Sequence, residues 1–475
     1  MDSIDLVRRD SPVQASELPQ LDAELADEMR KLEQMFWIDQ QKLKEIVKQF
    51  EVELDEGLKE NNKNIKGSFL TVDLGGTNLR VCWITLPGAR GQPIIVQEKY
   101  QLSKEVKTGT ADQLWDEVAD RMATFIRDKR LDETSTQPLP LGFTFSYPAM
   151  QDFIDHGVLQ TWTKGWDVQG VEGEDVTIQL RKAMEKRNLP VKLVALINDT
   201  TGAMIASAYH DSETIVGAIF GTGCNAAYME DSDCIPKIKG RLPPNRPVAI
   251  NCEYGAFDNS HRVLPMTKYD KIVDAESPRP GEQAFEKTSA GLYLGEIFRL
   301  VLVDLANRNL IFKGQDISRL DKSYILDTGF LSAVEDDQSP RLQDTAASFE
   351  VHTGILLNDQ ERQVVRRVTE LIAIRGARLC ACGIAAICSK KKITHGHVAA
   401  DGSVANKHPK FKRRWADALG EILDWQDGRT EDPIVLTSAE DGSGIGAAVI
   451  VAMTLGRASK GEDAGVKEAA DIVSR

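Results

Sequence analysis

Five times along this chain an apolar run of strand length ends in a short polar turn that carries glycine or a carboxylate. The five are TVDLGGTNLR (71–80), ALINDTTG (195–202), TIVGAIFGTGCN (214–225), HVAADGSV (397–404) and IVLTSAEDGSG (434–444). A continuous apolar run bounded by turn residues reads as a strand buried on both faces, the kind found in α/β sheets covered by helices. Ligands of such sheets gather at the carboxyl ends of the strands. The recurring device therefore points to an α/β fold with its functional edge at these turns, although no strict sequence repeat accompanies it.

At 475 residues the chain is long for one hydrophobic core, which predicts two lobes. Residues 1–18 read as a polar tail. Leu21, Leu25, Met29, Leu32, Met35 and Phe36, then Leu43, Ile46, Val47 and Phe50, recur at helical spacing and predict two amphipathic helices within 19–66. Strand signals at 68–74, 81–86, 93–102, 140–147 and 192–198, with helical stretches at 113–128 and 176–188, make one α/β unit. A second unit begins at TIVGAIFGTG, continues through VAINCEYG (248–255), and holds long helical stretches near 281–307 and 359–390.

The formal net charge of −14 argues against broad nucleic-acid binding, because no basic surplus exists to release phosphate counterions. Seven scattered cysteines without C-x-x-C spacing indicate neither a disulfide framework nor a zinc site. Cys380, Cys382 and Cys388 in LCACGIAAIC read as core packing, and His395 and His397 lack a third metal ligand nearby. No segment is expected to reach the length of a membrane span, and no apolar leader is seen, so the expected location is the cytosol.

A glycine turn after a buried strand lets the backbone approach a phosphate, because no Cβ blocks it and φ > 0 is allowed. Gly75 and Gly76, and Gly221 and Gly223, are placed for this, yet neither turn matches the Walker A or dinucleotide spacing. Asp199, at a strand end before a Thr-Thr-Gly turn, is a candidate base flanked by both phosphate turns. Asp73 either binds Mg²⁺, directly or through water, or caps its own turn. The Asp-Gly-Ser turns at 401–403 and 441–443 are candidates to hold an adenosine. Recognising sugar hydroxyls needs dense donors and acceptors, and Ser146, Thr163, Lys164, Asn198, Asn225, Glu253 and Glu286 supply them. A nucleoside triphosphate held against a hydroxyl substrate is the arrangement these residues suit.

At these residues the chain resembles the hexokinases, most closely the fungal hexokinase and glucokinase group. The resemblance rests on LGFTFSYP with WTKG, LINDTTG, GTGCNAAY, INCEYGAFDN with SPRPGEQAFEK, and ADGSV with EDGSGIGAA, and runs from about Leu21 to Arg457. It implies the two-lobed actin/Hsp70-type ATPase (ribonuclease H-like) fold with an interlobe cleft. Residues 67–200 are then the small lobe, 201–440 with the N-terminal helices (19–66) the large lobe, and 441–475 a C-terminal helix returning to the small lobe. It implies ATP-dependent phosphorylation of glucose, fructose and mannose at the 6-hydroxyl, with Asp199 as general base and Lys164 offsetting charge. Sugar positions fall on Ser146, Thr163, Lys164, Asn198, Asp199, Asn225, Glu253, Gln283 and Glu286. ATP positions fall on Asp73, Gly75, Gly76, Thr77, Asn78, Arg80, Gly221, Thr222, Thr328, Ser332, Asp401, Gly402, Ser403, Gly442 and Ser443, with Mg²⁺ reached from Asp73 and Asp199 through water. A monomer or homodimer is expected, with no nucleic-acid or membrane partner.

Ala405 stands where relatives carry an aromatic residue, Glu282 where they carry Gln, and Met266 where fungal members carry Arg; these are expected to tune affinity only. The larger departure precedes the first glycine turn, where Asn64 to Gly67 leads straight into the strand and roughly fifteen residues of connector, up to about 50 Å if extended, are missing. A short tether there is expected to restrain lobe closure. That supplies the alternative reading, a catalytically weakened sugar sensor.

Overall fold

Two five-stranded sheets provide the two-sided burial that the apolar runs demand. The computed structural model describes residues 21–54, 67–87, 92–134, 137–235, 247–426, 428–439, 441–460 and 465–467. The first sheet contains β1 (Gly67–Leu74), β2 (Asn78–Leu86), β3 (Ile94–Gln101) and β4 (Leu139–Phe145). A small separate hairpin follows, β5 (Ala149–Met150) with β6 (Val158–Leu159), and then β7 (Val191–Ile197) completes the first sheet in the order β3-β2-β1-β4-β7. The second sheet contains β8 (Thr214–Phe220), β9 (Cys224–Asp231), β10 (Pro247–Asn251), β11 (Gly396–Asp401) and β12 (Ile434–Ser438), in the order β10-β9-β8-β11-β12.

The two sheets share one plan. In each, the first three strands pair antiparallel and the last two join in parallel. The duplication is topological and leaves no sequence repeat; β9, which returns directly after the second glycine turn, carries no expectation in the sequence. Every turn singled out above stands at the carboxyl end of β1, β7, β8, β11 or β12.

Between the sheets lie two helices, Asp199–His210 and Gly442–Ser459, which pack against each other. The first leaves β7 and packs on the second sheet, while the second leaves β12 and packs on the first sheet. Asp199 is thus followed by the first turn of a helix, where the sequence reading has a Thr-Thr-Gly turn. The reason is Asn198, an N-cap whose Oδ1 accepts from Thr200 N at 2.9 Å. Gly202 breaks nothing because it is needed as a contact: a Cβ there would stand 3.0 Å from Ser443 Cα, and one on Gly446 would overlap the Gly202 carbonyl.

The outer faces are covered as their patterns require. The helix Ala111–Asp128 opens with a capping box, Thr110 with Gln113, and buries Leu114, Trp115, Val118 and Met122 against β1, β2 and β4. The helices Ala23–Phe36 and Gln40–Leu54 place Leu25, Met29, Leu32, Phe36, Leu43, Ile46 and Phe50 in one core with Val216 and Phe220 of β8. Cys380, Cys382 and Cys388 are buried in that core. His397 pairs with Asp211 at 2.6 Å.

Two expectations need correction. The helical stretch near 281–307 is two helices, Ala284–Ser289 and Gly291–Asn307, because Ala290 is extended and Gly291 N turns away to donate to Gly221 O at 2.8 Å. Two helices, Asp359–Lys391 and Gly442–Ser459, are long and apolar enough to cross a bilayer by length and composition, contrary to the sequence reading. The apolar stretch of the first is 100% buried in the protein and that of the second 50%, so the lobes themselves account for much of that hydropathy. The tail 1–18 and the expected short connector up to residue 66 lie outside the described residues, of which Gly67 opens β1.

The glycine contact makes a test within one helix. Gly446→Ala is expected to lower unfolding free energy by about 1–3 kcal/mol, as overpacking does, because two backbones must separate. Gly456, farther along the same helix with nothing within 4 Å of a built Cβ, is the control, and Gly456→Ala is expected to be neutral or stabilising. Equal effects in chemical denaturation would remove the special role of the contact.

Candidate active site

The two glycine turns face each other across the space between the sheets. Gly75 N donates to Asn78 O at 3.1 Å and Gly221 N to Gly223 O at 3.0 Å, so each closes on itself, and their tips meet where the Thr77 and Thr222 hydroxyls lie 2.8 Å apart. Aromatic side chains hold the first turn from below, Trp166 Nε1 donating to Gly76 O at 3.0 Å and Tyr147 OH to Gly75 O at 3.2 Å. Neither turn uses φ > 0, contrary to the sequence argument. Their glycines serve close approach instead: a Cβ on Gly223 would lie 2.5 Å from Glu286 Oε2 and 2.6 Å from Lys164 Cε, and one on Gly76 would lie 3.0 Å from Lys164 Cδ. Gly402, at φ 114, is the turn glycine that does need the conformation.

Lys164 is the point on which both turns converge. It donates to Ser146 O at 2.5 Å, sits 5.3 Å over the Tyr147 ring and lies 4.0 Å from Asp199 Oδ2. Burial opposes its charge, but the carboxylates of Asp199, Glu286, Glu253 and Asp73 hold its ammonium above the ordinary lysine range. Asp199, 8% exposed, accepts Thr200 N at Oδ1 at 2.9 Å, which leaves Oδ2 facing Lys164.

Below them is a buried polar nest. Glu253 Oε1 accepts from Asn198 at 3.2 Å, Asn225 at 3.1 Å and Asn251 at 2.6 Å, and Thr200 Oγ1 donates to Asn198 Oδ1. Glu286 Oε2 accepts Cys224 N at 3.3 Å, while its Oε1 is buried without a hydrogen-bond partner. Burial pushes the Glu286 carboxyl up to about 7 and raises that of Glu253 as well. Gln283 is adjacent, since a Cβ on Gly255 would meet its Oε1 at 2.5 Å and Glu286 Cβ at 3.3 Å. Thr163, 8% exposed, is carried beside Lys164.

Above lies a cavity of about 470 Å³ lined by Asp73, Gly75, Gly76, Thr77, Asn78, Arg80, Gly221, Thr222, Asp401, Gly402, Ser403 and Ser443, with Ser146, Lys164 and Asp199 on its floor. β1 and β2 pair Asp73 directly with Arg80, so the guanidinium bonds Asp73 Oδ2, then reaches Asp441 Oδ1 and Ser443 Oγ, each at 2.7 Å. Asp73 Oδ2 also accepts Ser443 Oγ at 2.7 Å. Its Oδ1 is buried without a partner, an acceptor that fits a hydrated cation. Burial lifts the Asp401 carboxyl to about 6. Among the described residues, the one group of three close metal-type ligands is Glu230, Asp231 and Cys234, at the far end of β9, so the cleft offers no closed protein cage.

Family models described as hexokinase match residues 28–209 and 215–453. A hexokinase of Emericella nidulans is 51% identical over 472 residues, covering 96% of this chain and 95% of that one, and hexokinase-2 of Saccharomyces cerevisiae is 46% identical over 464 residues, covering 93% and 95%. This chain belongs to the hexokinase family. Hexose phosphorylation by ATP is the activity that membership assigns, and none of these relatives carries a name that favours a sugar sensor. A solved hexokinase from Schistosoma mansoni, complexed with glucose, superposes with a TM-score of 0.82 at 31% identity, covering 90% of this chain and 99% of that one. The two-lobed sugar kinase fold follows.

Thr328 and Ser332 do not line this hexokinase's cavity. Thr328 Oγ1 donates to Gly291 O, and Ser332 Oγ donates to Thr328 O at 3.0 Å, which places both behind the second glycine turn. Gly442 packs on Ala203, with 3.0 Å from a built Cβ to Ala203 Cα. Gly223 of the second turn and Asp441 of the second Asp-Gly-Ser turn line the cavity too; Lys99, Ile219, Asn406 and Lys407 line it, and Asn251 joins the nest, without having been singled out in the sequence. For Lys99 a signal existed: it pairs with Arg80 in the β2–β3 register, as Arg80 pairs with Asp73.

The raised Glu286 carboxyl sets a pH dependence. Its folded value of about 7 exceeds the ordinary 4.5, so the folded protein holds a proton that the unfolded chain releases between them. Its contribution to stability is full below the lower value and is lost as pH rises through the higher. Sugar-free wild type is therefore expected to lose more thermal stability between about pH 5 and 7.5 than Glu286→Gln. Calorimetry showing equal losses would contradict the assignment.

Proposed function

We propose that this enzyme transfers the terminal phosphoryl group of ATP to the 6-hydroxyl of glucose, fructose and mannose, with Asp199 taking the hydroxyl proton. The observation that carries the reading is the position of Asp199: at the amino end of a helix, 4.0 Å from buried Lys164, between the nest and the two glycine turns. Its Oδ1 is engaged by its own helix, so Oδ2 is the oxygen left for the proton.

In this reading the nest binds the sugar. Glu253 and Glu286 accept hydroxyls, Glu286 Oε1 having no protein partner to displace, while Asn198, Asn225, Gln283, Ser146 and Thr163 complete the donor and acceptor set. The cavity binds the nucleotide. Backbone N–H groups of Gly76, Thr77 and Thr222 cradle its phosphates, Arg80 adds charge from a fixed position, and Asp401, Gly402, Ser403 and Ser443 face the adenosine. Thr328 and Ser332 support the second turn. Mg²⁺, when bound through water at Asp73 and Asp199, neutralises charge on the phosphates.

Phosphoryl transfer has a loose transition state, so positioning and charge stabilisation dominate. Lys164 holds positive charge beside the transferred group, and closure of 67–200 with the C-terminal helix onto the rest excludes water as a competing acceptor. We place the enzyme in the cytosol as a monomer or homodimer.

Asp199→Asn preserves size and is expected to lower turnover by about 10²–10⁴ while glucose still binds. Near-wild-type turnover would end the assignment. Asn225→Ala removes a partner from Glu253 and Asn251 and is expected to weaken glucose binding by about 1–3 kcal/mol, with binding of a nonhydrolysable ATP analogue little changed. Equal losses in calorimetry for both ligands would refute this division of the site.

A further inference from the structure

The halves of the molecule are also joined away from the cavity, by an ion pair on the sugar side. Glu172 accepts Trp162 N at Oε1 at 2.6 Å, and the same oxygen accepts Arg279 Nη2. Trp162 immediately precedes Thr163 and Lys164, and its ring stacks on Trp166 with centroids 5.4 Å apart. Arg279 comes from the opposite side, on the loop between the helices Lys268–Glu276 and Ala284–Ser289, which also carries Gln283 and leads into Glu286. Asp167, 4.0 Å from the guanidinium, and Glu282 on Arg279's own loop are further acidic groups that act on it.

The loop is braced from beneath. Lys287, 3% exposed, donates to Arg279 O and to Asp274 Oδ1, both at 2.6 Å, and Asp274 accepts Gly281 N at 3.0 Å. A fixed loop therefore presents a guanidinium to a carboxylate that itself fixes the backbone before Thr163. The two side chains are 29% and 33% exposed, and pairs of that exposure contribute little to global stability. Their geometry matters more. Neither touches the cavity or the nest, yet together they tie the segment bearing Lys164 to the loop that leads into Glu286.

We infer that Arg279 and Glu172 form a closure latch, positioning residues that hold Thr163 and Lys164 over the nest when sugar is bound. The inference rests on the proposed closure of the two lobes. Opening the cleft separates the pair, so the pair favours the closed state alone. Apparent affinity falls with the fraction of closed molecules, whereas turnover within the closed complex does not depend on the latch. Loss of the latch thus raises Kd and KM for glucose and spares kcat.

The test uses the full chain with Arg279→Ala, Glu172→Gln, the double variant and Arg279→Lys. Glutamine keeps the acceptor for Trp162 N and removes only the charge. Glucose is titrated by tryptophan fluorescence, with kcat and KM measured alongside, at low salt and at about 1 M NaCl. Each charge-removing variant is expected to raise Kd and KM about three- to ten-fold, the double variant no more than either single one, with Arg279→Lys restoring part of the loss. High salt is expected to narrow the gap from wild type, with thermal stability unmoved. Unchanged Kd, additive losses in the double variant, or a fall in kcat at constant KM would overturn the latch. Titration needs no turnover, so repeating it in an Asp199→Asn background keeps this result separate from the role of Asp199.

Discussion

The contact on which the rest of the molecule depends is the crossing of the helices Asp199–His210 and Gly442–Ser459, where Gly202 and Gly446 bring two backbones together. Each helix starts at a strand end of one sheet and packs on the other sheet, so this pair is what the two sheets share. The amino ends of the same helices carry Asp199 and Ser443, and through Ser443 the Asp73 and Arg80 network. A larger residue at the crossing would shift both ends. The distance from candidate base to nucleotide turn is thus set by a glycine contact that performs no chemistry.

Charge within the cleft is balanced locally although the whole chain is acidic. Lys164 is held among four carboxylates, and Arg80 is shared between Asp73 and Asp441. Both half-buried cations have fixed partners before any ligand arrives, Arg80 in Asp73 and Asp441 and Lys164 in the Ser146 carbonyl. In the proposed reaction the phosphates would meet oriented positive groups with little reorganisation, the condition under which electrostatics favours a transition state. The carboxylates have divergent environments. Glu286 and Asp401 are pushed towards neutrality by burial, whereas the Asp73 carboxylate is bonded directly to the Arg80 guanidinium.

The polar nest has the donors and acceptors that a small neutral ligand would need for recognition without apolar gain. Three asparagines converge on one oxygen of Glu253, so its position is fixed by donors rather than by packing. Two of the residues that present acceptors there, Glu253 and Gln283, have left-handed backbones, as does Lys164. Such conformations persist where surrounding bonds overdetermine them, which here are the nest and the braced loop of Asp274 and Lys287.

The sequence by itself determined most of the elements and the strand-end turns. Apolar runs of strand length ending in glycine and carboxylate turns could be satisfied only by sheets buried on both faces, and the motifs around Asp199, Lys164 and the two turns were local enough to be read one by one. Position within a motif does not reveal partners, however, and that is where the reading fell short. Asn251 enters the nest through the register of β10, and Asp441, though legible as a turn residue, meets Arg80 only through a crossing between distant helices; no local pattern records either partnership. The same holds for Gly76 and Gly223, which leave room for Lys164 and Glu286 rather than supplying an unusual φ, and for Thr328 and Ser332, whose hydroxyls bond backbone carbonyls away from the cavity lining. The duplicated sheet plan was likewise invisible, because it is preserved by topology and burial, which many different apolar sequences satisfy equally well.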